Sequence, residues 1–153
     1  MSILSAKHPT SPHMRIDYAT VEPELISSLR QLTRDLAKTA LPPGLRALVE
    51  LRVSQINHCS YCIQVHRSEA RHHGEEPTRI EQLSEWRTSK LFTPREQAAL
   101  AWAEALTNGE TIHKDEKEYQ ELHTHFSEPE IVSLGLSVSL ANFWNRMAGG
   151  FRK

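Results

Sequence analysis

Residues 50–66 read ELRVSQINHCSYCIQVH, and this stretch holds both cysteines of the chain, Cys59 and Cys62, in a single Cys-x-x-Cys. From Ser60 no Gly or Pro interrupts the chain until Gly74, so the segment predicts a helix. Residues four apart share a helical face, which puts the His66 imidazole within reach of the Cys62 sulfur. A free cysteine, with a pKa of about 8.5, is only a few per cent thiolate at neutral pH; an adjacent imidazolium or a helix N-terminus lowers that pKa by units. Upstream, Leu45, Leu48, Val49, Val53 and Ile56 fall on one side of a helix over residues 45–56. A break is expected at Asn57, a residue type that tolerates the left-handed conformation. Cys59 then lies in the first turn of the following helix, where unpaired N–H groups favour an anion.

The flanking sequence is helical throughout. A helix from about Val21, with Pro23 in its first turn, carries Leu25, Leu29, Leu32 and Leu36 as a core-facing stripe and stops before Leu41-Pro42-Pro43-Gly44. Three capping-box patterns, Thr78 with Glu81, Thr93 with Glu96 and Ser127 with Glu130, predict three further helix starts. The second of these helices closes near Gly109, another covers residues 115–126, and the last runs from Ile131 to Met147, ahead of Gly149-Gly150. That last helix is apolar around much of its circumference, the pattern of a helix buried on several sides and able to pack across a subunit boundary. No alternating strand pattern, repeat or low-complexity tract is present. The expectation is an all-α, single-domain bundle of about six to seven helices over residues 14–153, after a flexible extension over 1–13.

At 153 residues the chain is single-domain in size. Eighteen Lys and Arg against 19 Asp and Glu, with no block of like charge, argue against a nucleic-acid partner. No apolar run approaches the ~18 residues of a membrane span, and residues 1–15 lack the apolar core of a secretory signal. A cytoplasmic location is expected, where thiols are kept reduced and a Cys-x-x-Cys reads as redox-active or metal-binding before it reads as a permanent staple.

Several readings of the motif remain at this level. The cysteines can be small buried hydrophobes. Cys59, Cys62 and His66 can supply three ligands to zinc, with a fourth from the other histidines, among them His72, His73, His113, His123 and His125. Haem attachment fails, because it needs histidine directly after the second cysteine, where this chain has Ile63. Glu50 serves as a proton acceptor only if it faces inward, and within Glu-Leu-Arg it reads equally as a solvated or arginine-paired residue. His58 reads as a surface residue at the helix junction.

The segments Leu51-Arg-Val-Ser-Gln-Ile-Asn, Cys59-Ser-Tyr-Cys62-Ile-Gln-Val-His66 and Asn142-Phe-Trp-Asn-Arg146 resemble the AhpD-like alkylhydroperoxidases of the carboxymuconolactone decarboxylase-like superfamily, over about residues 14–152. The resemblance implies an all-helical homo-oligomer, a trimer or hexamer, and a thiol-dependent hydroperoxidase without metal, haem or other cofactor. By it Cys62 attacks the peroxide, Cys59 resolves the product, and His66 belongs to the proton relay. It implies a dithiol reductant such as a lipoyl domain, and in some members a peroxiredoxin as onward partner. Two departures stand out. The family's relay glutamate lies twelve residues before the first cysteine, where this chain has Ala47; Glu50 is the nearby acid that can substitute, rotated by about 60° on a helix. The residue before that cysteine, often glycine in relatives, is His58. A redox sensor or scaffold oligomer using the same pair as a slow switch is the alternative.

Overall fold

The computed structural model describes residues 13–109 and 116–152. Residues 1–12 of the expected N-terminal extension, His113 and the start of the helix placed at 115 lie outside them. Among the described residues there are eight α-helices and no strand: α1 (Tyr18–Val21), α2 (Pro23–Leu36), α3 (Pro43–Ile56), α4 (Ser60–His72), α5 (Pro77–Glu81), α6 (Pro94–Asn108), α7 (Glu116–His125) and α8 (Glu128–Phe151), with a 3-10 turn at Leu83–Glu85 between α5 and α6. The count is one above the expected six or seven because α1, a single-turn piece ahead of Pro23, is additional.

Helix starts follow local chemistry. Proline occupies the first turn of α2, α3, α5, α6 and α8, where its missing N–H costs nothing. At α6 the Glu96 N–H donates to Thr93 Oγ1 at 3.2 Å and the Thr93 N–H to Glu96 Oε2 at 2.8 Å. At α8 Glu130 Oε2 accepts from the Ser127 N–H at 2.9 Å. The Thr78–Glu81 pattern is not a cap: Pro77 opens α5 after Glu76, so Thr78 is already inside the helix.

Three other expectations are corrected. On α2 the inward residues are Ile26 and Leu36, whereas Leu25 and Leu32 are 63% and 40% exposed. The seam follows 26, 29, 33 and 36: Leu29 and Leu36 of the expected stripe turn inward, while Ile26 and Thr33 take the places of Leu25 and Leu32. The last helix does not stop before Gly149-Gly150, because neither glycine takes a positive φ. It continues to Phe151, whose ring meets Tyr18 edge-on at 5.5 Å and whose carbonyl accepts from the Arg15 N–H at 2.7 Å. The residue between α3 and α4 with left-handed backbone is His58, φ 53°, and not Asn57.

α3 is the centre of the bundle. Leu48, Val49, Leu51 and Val53 are fully enclosed, and α3 packs against α4, α6 and α8. Burial of each such side chain stabilises by roughly 1.5–3 kcal/mol. A helix surrounded on three sides holds its C-terminal turn rigidly, and that turn carries the chain into Cys59.

Candidate active site

The junction between α3 and α4 is a Schellman turn. The His58 N–H donates to the Gln55 carbonyl at 3.2 Å and the Cys59 N–H to the Ser54 carbonyl at 3.1 Å, which satisfies carbonyls left over at the end of α3. α8 locks this turn from the side. Asn57 Nδ2 donates to Asn142 Oδ1 at 2.9 Å and to Asn145 Oδ1 at 3.0 Å, and Asn145 Nδ2 donates to Ser54 Oγ at 3.1 Å. Ser54 and Asn145 are buried, so these partners satisfy groups that would otherwise be costly to leave unpaired.

Cys59 is the N-cap of α4, and its sulfur accepts from the Cys62 N–H at 3.4 Å. The two cysteines are joined as a disulfide with Cα atoms 5.3 Å apart. Cys62 is buried and Cys59 is half-buried, so the second sulfur is shielded and the first is the more accessible.

His66 lies one turn beyond Cys62 on α4, and two carboxylates converge on its Nδ1. Glu69 Oε2 is 2.7 Å away on the same helix, and Glu50 Oε2, from α3, is 3.4 Å away. Glu50 therefore faces inward. Its Oε1 accepts from Ser137 Oγ of α8 at 2.7 Å, and Arg46 Nε lies 3.9 Å from the same oxygen. The neighbouring arginine of the Glu-Leu-Arg stretch, Arg52, pairs elsewhere, with Glu104 at 2.7 Å. Ala47 is in the core.

The electrostatics separate the two acids. Burial pushes the Glu50 carboxyl above the ordinary carboxylate range, against the opposing pull of His66, Arg46 and the Ser137 hydrogen bond. Burial acts in the same direction on Glu69, but the His66 hydrogen bond and the charges of His66 and Arg46 outweigh it and hold this carboxyl below its ordinary value. For His66, burial disfavours the charged ring, while the Glu69 hydrogen bond and both carboxylate charges outweigh it and raise the pKa. The arrangement favours the charged ring more than water does, and the charged ring is the form able to give up a proton.

A cavity of about 60 Å³ adjoins the cluster, walled by Leu36, Leu140, Ala141 and Trp144 opposite Glu50, His66 and Glu69. Trp144 Nε1 donates to Thr33 Oγ1 at 3.4 Å. A larger open cleft, about 310 Å³, is lined by His73, Glu75, Arg95 and Glu96 and includes none of these residues. The smaller cavity is the one next to groups of matched chemistry.

The ligand set Cys59, Cys62 and His66 is not what the geometry offers a metal, since the sulfurs bond to each other and His66 Nδ1 meets carboxylates. Glu50, His66 and Glu69 have ligand atoms within 4.8 Å of one another. The 2.7 Å contact between His66 and Glu69 is hydrogen-bonding geometry, however, and Arg46 already lies beside the acids as a counter-charge. His58 is exposed, as expected; His72 and His73 are exposed and stack edge-on at 5.2 Å, His123 is exposed against Tyr119, and His125 lies 3.4 Å from Glu121.

Sequence reasoning missed Glu69, Arg46 and Ser137. Glu69 carried a usable signal, three residues after His66 on a helix. Ser137 carried none, being 87 residues from Glu50.

Residues 23–105 match the family model described as the carboxymuconolactone decarboxylase family. The Bacillus subtilis protein YdfG, itself uncharacterized, is 31% identical over 134 residues, 88% of this chain and 91% of its own length. A crystal structure of an Agrobacterium tumefaciens protein of unknown function, proposed to be the antioxidant defence protein AhpD, superposes with a TM-score of 0.85 at 34% identity, over 90% of this chain and 94% of that one. A debrominase shares the fold, with a TM-score of 0.74 at 22% identity over 83% of this chain and 68% of its own. With an all-helical fold, a cysteine pair at the head of α4 and these similarities together, the chain belongs to the carboxymuconolactone decarboxylase family as an AhpD-like member.

Proposed function

We propose that the chain is a thiol-dependent hydroperoxide reductase that cycles Cys59 and Cys62 between dithiol and disulfide. One observation carries the reading: a buried cysteine, bonded to a more accessible one at a helix N-terminus, is followed one turn later by a histidine held between two carboxylates.

In the reduced protein the Cys62 thiolate attacks the terminal oxygen of R–O–O–H. A sulfur–oxygen bond forms, the O–O bond breaks, and the departing alkoxide takes a proton from His66 and leaves as the alcohol. The sulfur, oxidised by two electrons, is now a sulfenic acid. Cys59 attacks that sulfur, the S–S bond forms, and the hydroxyl leaves as water. An external dithiol returns the pair to thiols by two exchange steps and is itself oxidised to a disulfide. Glu50, from α3, supports the charge on His66. The cycle draws on the protein's own sulfur and asks nothing of a metal or haem.

By the AhpD-like resemblance the reductant is a lipoyl-type dithiol, and a peroxiredoxin is the onward partner in the chain of transfer. The exposed Leu25 and Leu32 of α2 suit a homo-oligomer, which by the AhpD-like resemblance is a trimer or hexamer. A cytoplasmic setting fits a pair that must be reduced after each turnover. Among the described residues no helix is long and apolar enough to cross a membrane.

The test is a time course of free thiols in reduced, metal-stripped protein after one equivalent of an organic hydroperoxide, beside Cys62→Ser. Rapid loss of both thiols in the wild type, absent from the variant, is expected. Loss no faster than that of free cysteine would falsify the reading and favour a redox sensor.

A further inference from the structure

Two acids face one imidazole nitrogen, and they are not equivalent. Glu69 is at 2.7 Å and sits three residues along the same helix, so its approach to His66 is fixed by α4 alone. Glu50 is at 3.4 Å and its other oxygen is committed to Ser137 on α8. A single N–H cannot make two good hydrogen bonds, and the shorter contact takes it. The Glu69 side chain is also 34% exposed against 14% for Glu50, so water helps to keep Glu69 ionised.

We propose that Glu69 is a positioning residue for the thiol chemistry: it holds the Nδ1–H of His66, sets the orientation of the ring, and leaves Nε2 as the nitrogen that trades a proton with the departing oxygen. The inference rests on the peroxidase reading for its chemical purpose, but the clamp itself does not. During the step the Nδ1 proton stays between His66 and Glu69, and the Nε2 proton goes to the alkoxide, so His66 becomes neutral while Glu69 remains charged. This is the division of labour in which a carboxylate orients a histidine and stabilises its charged form without being protonated itself.

The opposed environments of the two acids agree. Burial keeps Glu50 towards the protonated form, while His66 holds Glu69 ionised, and acids pushed apart in this way take different roles. The charged or titratable groups facing the cluster are Arg46 from α3 and, for Glu69, His73 at the end of α4. From α8 come Ser137, Leu140, Ala141 and Trp144, and from α2 Thr33 and Leu36, none of them charged.

The test follows the ring nitrogens of His66 by NMR against pH in the full chain, assigned with His66→Asn, in wild type, Glu69→Gln, Glu69→Asp and Glu50→Gln. Peroxide-driven thiol loss is measured in the same samples. In Glu69→Gln the His66 midpoint is expected to fall by about one pH unit or more, the shift expected for losing an adjacent opposite charge. The basic limb of the pH–rate profile should fall with it, and Glu69→Asp should restore part of both. A midpoint that stays put in Glu69→Gln, or that falls only in Glu50→Gln, overturns the proposal. So does a lower melting temperature in Glu69→Gln with titration unchanged, the mark of a purely structural residue. A wild type without peroxidase activity defeats the functional reading, yet the titration still decides whether Glu69 holds His66.

Discussion

Glu50 stabilises a charge on His66 at a cost to the fold. Its folded-state pKa is raised above the ordinary 4.5, so the fold favours its protonated form. The sign follows by linkage: its contribution to stability is fully present below the ordinary carboxylate range and is lost as pH rises through the folded value. Glu50→Gln keeps an acceptor for the Ser137 hydroxyl and removes the buried charge. We expect the variant to melt at the wild-type temperature near pH 4 and above it at pH 8, while thiol oxidation by peroxide slows. Thermal melts at the two pH values check this, and a lower melting temperature at pH 8 would show that the His66 attraction outweighs desolvation. Residues of this site were legible in the sequence where spacing along one helix defines them, as for Cys59, Cys62 and His66. Glu50 was legible as a candidate but not in its orientation, because a helix shows which residues share a face and not which neighbour that face meets.

At the scale of elements, the junction of α3 and α4 joins a strained residue to the cysteine pair. The left-handed position of a Schellman turn suits glycine, and a side chain there costs about 1–2 kcal/mol. His58 occupies it. Replacing it by glycine keeps every backbone hydrogen bond of the turn, so His58→Gly should stabilise the protein by about 1 kcal/mol, read as a higher denaturation midpoint in urea with an unchanged slope. A loss of stability would mean that the imidazole contributes contacts exceeding the strain. Helix boundaries were readable where side chain and backbone cooperate locally, as at Thr93 and Ser127. They were misread at Thr78, where Pro77 opens the helix and moves the cap two residues earlier, to Glu76, and at Gly149-Gly150, where the packing of Phe151 on Tyr18 carries the helix onward. The inward seam of α2 was half misread for a similar reason: Leu29 and Leu36 face inward, but Ile26 and Thr33 replace Leu25 and Leu32 because the seam follows the neighbour that α2 packs against and not the richest leucine row.

For the whole molecule, Leu25 and Leu32 of the expected stripe are exposed at 63% and 40%; Val21 of α1, at 64%, and Val132 and Leu136 of α8, at 61% and 42%, are exposed as well. Apolar side chains at helical spacing on a surface are commonly an interaction face. If this face closes the proposed homo-oligomer, Leu25→Lys with Leu32→Lys should lower the mass measured by light scattering to that of a single chain, with helical content retained by circular dichroism. Wild-type protein already at that mass would remove the oligomer from the reading. Composition and periodicity sufficed for an all-α fold, but no sequence pattern separates a helix face that meets its own core from one that meets another surface.

α8 links distant parts of the molecule through residues at fixed intervals: Ser137 to Glu50, Asn142 and Asn145 to Asn57, Trp144 to Thr33, and Phe151 to Tyr18. Each residue along a helix advances it by about 1.5 Å and turns it by about 100°. Removing one residue between Ser137 and Asn142 would therefore swing every later anchor away from its partner while leaving Glu50 held. The proton cluster and the cysteine turn would fall out of phase, though no side chain of either had changed. The interval works as a gauge block: its length, as much as its composition, is part of the site.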